Sequence, residues 1–286
     1  MPELPEVETV RRGLNRVSLN QPVQGGEVLL ARTIAYPDLA DNFLRGIEGS
    51  GIAKWHRRGK YLLGELQRSV ASKEHQPAGW LGVHLRMTGQ LLWVDRGEAL
   101  QTHCRVRLFF DDDRELRYVD QRTFGRLWWV PPREPVEAII TGLQKLGPEP
   151  FSDEFSVAYL ASTLKKSLRP IKNALLDQRL VAGIGNIYAD EALFVSGIRP
   201  QRRCDRLTQK QIARLHAAII EVLKTSIASG GTTFSDFRDV HGTNGNYGGI
   251  AWVYGREDDP CRRCGAEIIR MSLAGRSAHY CPQCQK

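Results

Sequence analysis

The chain opens with apolar residues at helical spacing. Val7, Val10 and Leu14 recur every three or four positions, with Val17 about one turn later, and arginines lie off this stripe. Because one face of an α-helix repeats at this interval, a helix is predicted from about Glu3 to Val17.

A strand-like pattern follows between about residues 23 and 130. The segment CRVRLFFDDDRELRYVD alternates apolar and polar residues on either side of an Asp-rich turn, so it predicts a β-hairpin. The segment GWLGVHLRMTGQLLWV is long enough for two strands, which we expect to pair across a turn near Gly89. Strands at such close spacing predict a β-sandwich.

The pattern becomes helical again after a proline-rich stretch at 131–150, which predicts an interdomain connection with a short helix inside. Helices are predicted in SDEFSVAYLASTL, IKNALLDQRL and NIYADEALFVSG, and from Thr208 to Ser229, where Thr208 and Gln211 form a capping-box pattern. The expected domains are an N-terminal β-sandwich at 1–135, a linker at 136–151, a helical domain at 152–250 and a cysteine-rich finger at 251–286.

Composition adds two observations, a net positive charge and a number of cysteines that could bind a metal. The 286 residues carry a net charge of +8, which favours a polyanionic partner, although a basic enzyme without one is the alternative. No apolar run reaches the ~18 residues of a membrane span, and the acidic start is unlike a secretory signal. We therefore expect a cytoplasmic protein without membrane contact, whose six cysteines are metal ligands or free thiols.

Four of the cysteines have the spacing of a zinc site. Cys261 and Cys264, and Cys281 and Cys284, form two CxxC pairs separated by 16 residues. Two such turns complete a tetrahedron of thiolates, so one structural Zn²⁺ is predicted, and a redox role is the alternative. The residues between the pairs predict a hairpin that turns at Ala274-Gly275 and presents the next residue, an arginine.

A glycine turn separates two of the predicted helices. In VAGIGNIYADE, Gly183 and Gly185 allow a tight turn, and Asn186 is expected as the N-cap of the next helix. Free N–H groups at such an end favour an anion, and a helix–turn–helix pair can seat a DNA phosphate there. The alternative is a plain connector between two helices.

Six segments together resemble the bacterial formamidopyrimidine-DNA glycosylases. In chain order they are PELPEVET, RRGKYLL, VHLRMTGQL, DQRTFGRL, GIGNIYADEALF and GRSAHYCPQCQ. The endonuclease VIII type shares the terminal proline and glutamate and a finger, but its start reads differently after PE. The resemblance implies an α+β multidomain fold, with an N-terminal helix, a β-sandwich, a helix-two-turns-helix DNA-binding domain with a lesion loop, and a four-cysteine zinc finger hairpin.

The resemblance also implies an activity. Such an enzyme is a bifunctional DNA glycosylase and AP lyase of base excision repair, which removes 8-oxoguanine and formamidopyrimidines and nicks DNA by β,δ-elimination. Its expected partner is double-stranded DNA with an oxidised or abasic site, bound by a monomer at the bacterial nucleoid. No organic cofactor is expected.

The catalytic residues implied by the resemblance begin at the N-terminus. Without Met1, Pro2 is a secondary amine with a reference pKa of ~7.7–8.0, and its attack on a sugar C1′ gives an iminium that acts as an electron sink. Glu3 is expected to move protons and Glu6 to orient the N-terminus. By resemblance, Lys60 assists excision and the first elimination.

The remaining implied residues contact DNA. A flipped base leaves a gap, and Met87, Arg122 and Phe124 match the residues that fill it, although Met87 and Phe124 by themselves suggest a core. Arg276 matches the finger arginine that binds phosphates beside the lesion and is implicated as a catalytic residue in the second elimination; a solvated turn arginine is the alternative. Further family positions at the DNA backbone are matched by His84, His103, Lys172, Asn186 and Tyr254.

Two departures concern the choice of base. Thr88 stands where some family members carry glutamate, and the loop DVHGTNGNYGG is too variable for transfer of individual roles. The other functions considered are a lesion-binding protein without catalysis, and a zinc-ribbon nucleic-acid module with an unrelated N-terminal domain.

Overall fold

The structure is a computed structural model that describes residues 1–69, 75–232 and 239–286. The predicted lesion loop between about Thr232 and Gly249 therefore falls partly outside the described residues. The helices are Leu4–Val17 (α1), Ala40–Ile47 (α2), Val136–Ile139 (α3), Val157–Leu164 (α4), Ile171–Leu175 (α5), Asn186–Ser196 (α6) and Gln209–Ala228 (α7). The strands are Gly25–Val28 (β1), Ile34–Tyr36 (β2), Gly51–Arg58 (β3), Tyr61–Ser69 (β4), His75–His84 (β5), Gln90–Asp95 (β6), Cys104–Phe109 (β7), Arg114–Val119 (β8), Arg126–Val130 (β9), Ile269–Leu273 (β10) and Arg276–Tyr280 (β11).

Two compact units divide the chain. The first contains residues 1–144 and 230–245, and the second contains 145–229 and 246–286. The domain boundaries expected at residues 135, 151 and 250 stay predictions.

The first unit is built on two sheets and one apolar core. One sheet has the strand order β2-β9-β5-β4-β3 and the other β1-β7-β8-β6. Leu62 and Val83 from the first sheet share a core with Leu108 and Leu116 from the second. The apolar stripe of α1 is buried in the same core, so the predicted N-terminal helix is confirmed. The hairpin predicted over the Asp-rich turn is also confirmed, because β7 and β8 pair antiparallel.

The prediction for GWLGVHLRMTGQLLWV is wrong in its pairing. Its two strands, β5 and β6, do not pair with each other: β5 pairs with β4 and β9, whereas β6 pairs with β8. The turn near Gly89 is thus a crossover from one sheet to the other. The return crossover lies between β8 and β9.

The second unit is helical and ends in a two-stranded hairpin. The capping box predicted at the start of α7 is present, since Thr208 and Gln211 exchange side-chain and backbone hydrogen bonds. The helix α6 is capped at its C-terminus by Gly197, whose φ of +71° suits glycine. The strands β10 and β11 pair antiparallel about Ala274 and Gly275, which confirms the predicted finger hairpin. Among the described residues, no helix is long and apolar enough to cross a membrane.

Candidate active site and nucleic-acid interface

The N-terminal segment is buried rather than frayed. Pro2 is buried, and Glu3 is only 2% exposed. A reciprocal capping box closes the first turn of α1, in which the Glu3 N–H donates to Glu6 Oε2 at 2.8 Å and the Glu3 carboxylate accepts from the Glu6 N–H. The residues proposed for catalysis therefore stand at a fixed helix end.

Glu6 also connects this end to a distant part of the same unit. Its Oε1 accepts hydrogen bonds from the backbone N–H of Thr232 at 2.8 Å and from the Thr232 hydroxyl at 3.0 Å. Gly231 beside it has a φ of +81°, and a Cβ there would lie 3.0 Å from Glu6 Oε1. Both carboxylate oxygens are thus used to hold backbone, which is a positioning role.

Lys60 lies in the tight turn between β3 and β4 and is 8% exposed. The turn is connected to α1 through Arg57, which donates to Glu8 Oε2 at 3.2 Å and to the Gly59 carbonyl at 3.0 Å. Burial acts to raise the pKa of Glu8, but the hydrogen bonds and charges of Arg11 and the neighbouring arginines outweigh it and lower that pKa to about 2. Glu8 is therefore a stable anion between the helix and the turn.

His84 lies at the end of β5, opposite Tyr61 in the strand register. Its ring meets the Tyr61 ring edge-on at 4.5 Å. Burial, with the charges of Arg86 and Lys60, lowers the pKa of His84 to about 3. Its Nδ1 accepts the Arg86 N–H at 3.0 Å, so the neutral ring carries its proton on Nε2. His84 therefore presents a neutral N–H donor, its Nε2–H.

Met87, Arg122 and Phe124 lie on two of the crossovers between the sheets, β5 to β6 and β8 to β9. Met87 follows β5, whereas Arg122 and Phe124 lie between β8 and β9. Met87 is 36% and Phe124 50% exposed, so neither belongs to the core. The Arg122 guanidinium lies 4.9 Å from the centre of the Phe124 ring. His103 lies directly before β7 and is half-buried. Its Nδ1 lies 3.2 Å from an Arg105 guanidinium nitrogen.

In the second unit, Asn186 is the first residue of α6 and not its N-cap. The N-cap is Gly185, whose extended backbone leads into the helix. The Asn186 side chain instead donates to the Ser277 hydroxyl at 3.2 Å, and its own oxygen is buried without a hydrogen-bond partner. The glycine turn thus places Asn186 against the finger hairpin.

Asp190, one turn further along α6, holds Lys172 and the finger together. Its Oδ1 lies 2.6 Å from Lys172 Nζ, and its Oδ2 accepts the backbone N–H of His279 at 2.9 Å. Lys172 also donates to the Ser277 carbonyl. Lys172 and Asp190 are 1% and 0% exposed, so a buried charge pair positions the lysine.

Glu191, the next residue of α6, binds the backbone of the segment that leads to the zinc finger. Its carboxylate accepts the backbone N–H groups of Trp252, Val253 and Tyr254 at 2.8, 2.9 and 3.0 Å. The Tyr254 ring meets the His279 ring edge-on at 4.9 Å. Two adjacent acids on one helix therefore hold Lys172, Tyr254 and the finger hairpin in one arrangement.

The four finger cysteines form a cluster that fits zinc. Their sulfur atoms all lie within 4.8 Å of one another, with Cys264 and Cys281 3.4 Å apart and Cys261 and Cys284 3.9 Å apart. Four sulfurs at ~2.3 Å from one tetrahedral zinc would be ~3.8 Å apart. The Arg263 and Cys284 N–H groups point at cysteine sulfurs, as suits thiolates. These residues hold one structural zinc ion, which stabilises the finger hairpin. Arg276 is exposed at the start of β11 on this hairpin.

Three family profiles match consecutive parts of the chain. They are the formamidopyrimidine-DNA glycosylase N-terminal domain over residues 1–127, the formamidopyrimidine-DNA glycosylase H2TH domain over 146–238, and the zinc finger found in these enzymes and in an isoleucyl-tRNA synthetase family over 258–286. The chain belongs to the formamidopyrimidine-DNA glycosylase family. It is a DNA glycosylase of DNA repair, and the α+β fold with a helix-two-turns-helix domain and zinc finger is confirmed.

Relatives match over the full length. The formamidopyrimidine-DNA glycosylase of Nostoc punctiforme is 65% identical over 285 residues, which cover 100% of this chain and 96% of that protein. The Acaryochloris marina enzyme is 62% identical, with 100% and 99% covered. Among solved structures, the Lactococcus lactis enzyme in complex with abasic-site DNA superposes with a TM-score of 0.88 at 34% identity and covers 99% of both chains. A variant of that enzyme bound to Fapy-dG-containing DNA gives 0.89, with both chains fully covered.

Several residues of this formamidopyrimidine-DNA glycosylase were not singled out by its sequence. They are the acids that position others, namely Glu8, Asp120, Asp190 and Glu191. The adjacent pair in NIYADEALF carried a signal, because two neighbouring acids in an otherwise apolar helix cannot both face solvent when the helix is buried. Asp120 directly precedes the QRTF segment, yet only its contacts distinguish it from a turn residue.

Proposed function

We propose that the enzyme excises oxidised purines, such as 8-oxoguanine and formamidopyrimidines, from duplex DNA and then nicks the strand as an AP lyase. The observation that carries the proposal is the burial of Pro2 and Glu3 at a helix start where Glu3 and Glu6 cap α1 and Glu6 binds Thr232. A helix start needs acids but not a buried proline at position two. A reactive amine held at a fixed place accounts for both the acids and the buried proline.

In the proposed reaction, Met1 is removed and the Pro2 nitrogen attacks C1′ as the bond from C1′ to the base breaks. Opening of the sugar gives an iminium, and Glu3 is the group that moves a proton to the departing base or sugar oxygen. The iminium accepts electrons when the C2′ proton leaves, so the C3′–O bond breaks, and loss of the C4′ proton then releases the 5′ phosphate. We assign assistance at the first elimination to Lys60 and at the second to Arg276.

DNA binding is proposed to use both units. Met87, Arg122 and Phe124 fill the gap left by the flipped base, and the exposure of Met87 and Phe124 supports that role. The backbone phosphates are assigned to His84, His103, Lys172, Asn186, Tyr254 and Arg276. The Lactococcus lactis structures contain abasic-site and Fapy-dG DNA, which supports a damaged duplex as the substrate. We place the enzyme, as a monomer, in the bacterial cytoplasm at the nucleoid.

Borohydride trapping tests the amine. The wild-type enzyme is expected to form a covalent complex with 8-oxoguanine duplex DNA, and mass spectrometry is expected to find Pro2 as its first residue. In Pro2→Leu the bulky second residue retains Met1, so trapping should fall by roughly a hundredfold or more because the amine is displaced. Binding of uncleavable abasic-analogue DNA is the control and should persist. Undiminished trapping by Pro2→Leu would contradict the proposal.

A further inference from the structure

The two crossover loops that carry Met87, Arg122 and Phe124 are joined by one side chain from each. Thr88 follows Met87, and Asp120 precedes the segment with Arg122 and Phe124. The Thr88 hydroxyl donates to Asp120 Oδ1, and the same hydroxyl oxygen accepts the backbone N–H of Arg122 at 3.0 Å. We call this pair of contacts the Thr88–Asp120 bridge.

Asp120 is buried and fully engaged on its other side. It is 1% exposed, and its Oδ2 accepts the backbone N–H of Gly125 at 2.8 Å and lies 3.5 Å from the Tyr118 hydroxyl. A buried carboxylate needs such partners because burial without them is costly. Asp120 therefore fixes both ends of its own loop, and Thr88 is its connection to the other loop.

The packing around Tyr118 leaves little freedom for either loop. A Cβ at Gly125 would lie 1.5 Å from the Tyr118 hydroxyl oxygen, and one at Gly89 would lie 2.4 Å from it. Both loops thus close on the same phenol, one from each crossover. The backbone below the exposed side chains is fixed, while Met87 and Phe124 themselves extend into solvent.

We propose that Thr88 is a positioning residue for gap filling, which holds the Met87 loop and the Arg122–Phe124 loop in register so that all three side chains enter the duplex together. This inference rests on the proposed function of the trio. The physical reason is that a wedge made from two loops needs a fixed separation between the loops. The Thr88 hydroxyl fixes that separation, because it donates to Asp120 and accepts from the Arg122 N–H. Valine has the same shape but makes neither hydrogen bond.

The test separates gap filling from chemistry with two substrates. Excision of 8-oxoguanine from a duplex requires the wedge, whereas nicking of a single-stranded abasic oligonucleotide does not. For Thr88→Val we expect about a tenfold slower excision from the duplex, with single-strand nicking within about twofold of wild type. Thr88→Ser keeps the hydroxyl and should restore duplex excision. Thr225→Val, the same change at an exposed position of α7, is the matched control.

A fluorescent base analogue next to the lesion provides a direct readout. Insertion of the wedge unstacks the analogue, so the fluorescence rise should be slower in Thr88→Val than in Thr88→Ser. Equal duplex rates in wild type and Thr88→Val, or an equal loss on both substrates, would overturn the inference. Should the valine variant not fold, Thr88→Ala is measured with the same two outcomes. A wild-type enzyme inactive on both substrates would instead contradict the proposed function.

Discussion

At His84 the surroundings, rather than the residue type, decide the charge. An exposed histidine titrates near pH ~6.5, but burial and the charges of Arg86 and Lys60 lower the pKa of His84 to about 3. The Arg86 N–H bound to Nδ1 is compatible only with a ring nitrogen that carries no proton. In its proposed phosphate contact, His84 therefore acts as a neutral hydrogen-bond donor through Nε2.

The lowered pKa predicts a contribution to acid lability. Below pH ~6.5 the unfolded chain protonates this histidine while the folded protein does not, so the free energy of unfolding falls as the pH falls, by up to about 1.4 kcal/mol per pH unit. Above that pH the histidine contributes no pH dependence. His84→Gln should therefore show a shallower decline than wild type between about pH 6 and pH 4, measured by urea unfolding at each pH. Parallel curves for the two proteins would contradict the assignment.

At the scale of elements, α6 is the part of the second unit on which others are assembled. Asp190 binds Lys172 of α5 and the backbone of β11, and Glu191 binds the backbone at Trp252–Tyr254. Most of α6 is buried, so these acids face polar groups of neighbouring segments rather than water. The helix thereby connects the helical part of the unit to the zinc finger.

Loss of Asp190 should be costly because it removes the carboxylate that lies 2.6 Å from the buried ammonium group of Lys172. We expect Asp190→Ala to lower the free energy of unfolding by about 3–5 kcal/mol. The double variant Lys172→Met with Asp190→Leu removes both charges and should be more stable than Asp190→Ala. Urea unfolding followed by tryptophan fluorescence measures both. Glu257→Ala, which breaks an exposed ion pair with Arg270, is the control and should cost under about 1 kcal/mol. A double variant less stable than Asp190→Ala would rule out the loss of the opposite charge as the cause.

At the scale of the whole molecule, the positive charge is expected to act through a few placed residues. Most of the net charge of +8 belongs to the second unit, which carries 19 Lys+Arg against 12 Asp+Glu, whereas the first carries 21 against 20. Many arginines are already paired with acids, as Arg107 is with Glu27 and Glu115. Proposed phosphate contacts occur in each unit, with His84 and His103 in the first and Lys172 and Arg276 in the second. Affinity for DNA should therefore follow specific contacts rather than total charge.

The salt dependence of DNA binding tests this. The logarithm of the binding constant should fall linearly with the logarithm of salt concentration, by about 0.9 in slope for each phosphate contacted. We expect Arg276→Ala to reduce the slope by about 1, measured by fluorescence anisotropy on an abasic-analogue duplex. Lys210→Ala removes the same charge from an exposed position at the start of α7 and should leave the slope unchanged. Equal effects of the two variants would indicate that net charge alone is responsible.

The sequence by itself determined the features that depend on local spacing. The N-terminal helix, the β7–β8 hairpin, the capping box of α7 and the CxxC pairs were all predicted, because each is formed by residues within about twenty positions of one another. The N-terminal, glycine-turn and finger motifs likewise identified the family. The presence of proline at position two was enough to suggest the proposed amine chemistry, independently of its surroundings in the fold.

Only the tertiary structure decided which groups position the others. Glu6 meets Thr232 across 226 residues, Asp190 meets His279 across 89, and Thr88 meets Asp120 across 32. It also showed that β5 and β6 belong to different sheets, so that the turn near Gly89 is a crossover. The physical reason is that a carboxylate or hydroxyl in a sequence has many potential partners, and burial in the folded chain selects among them.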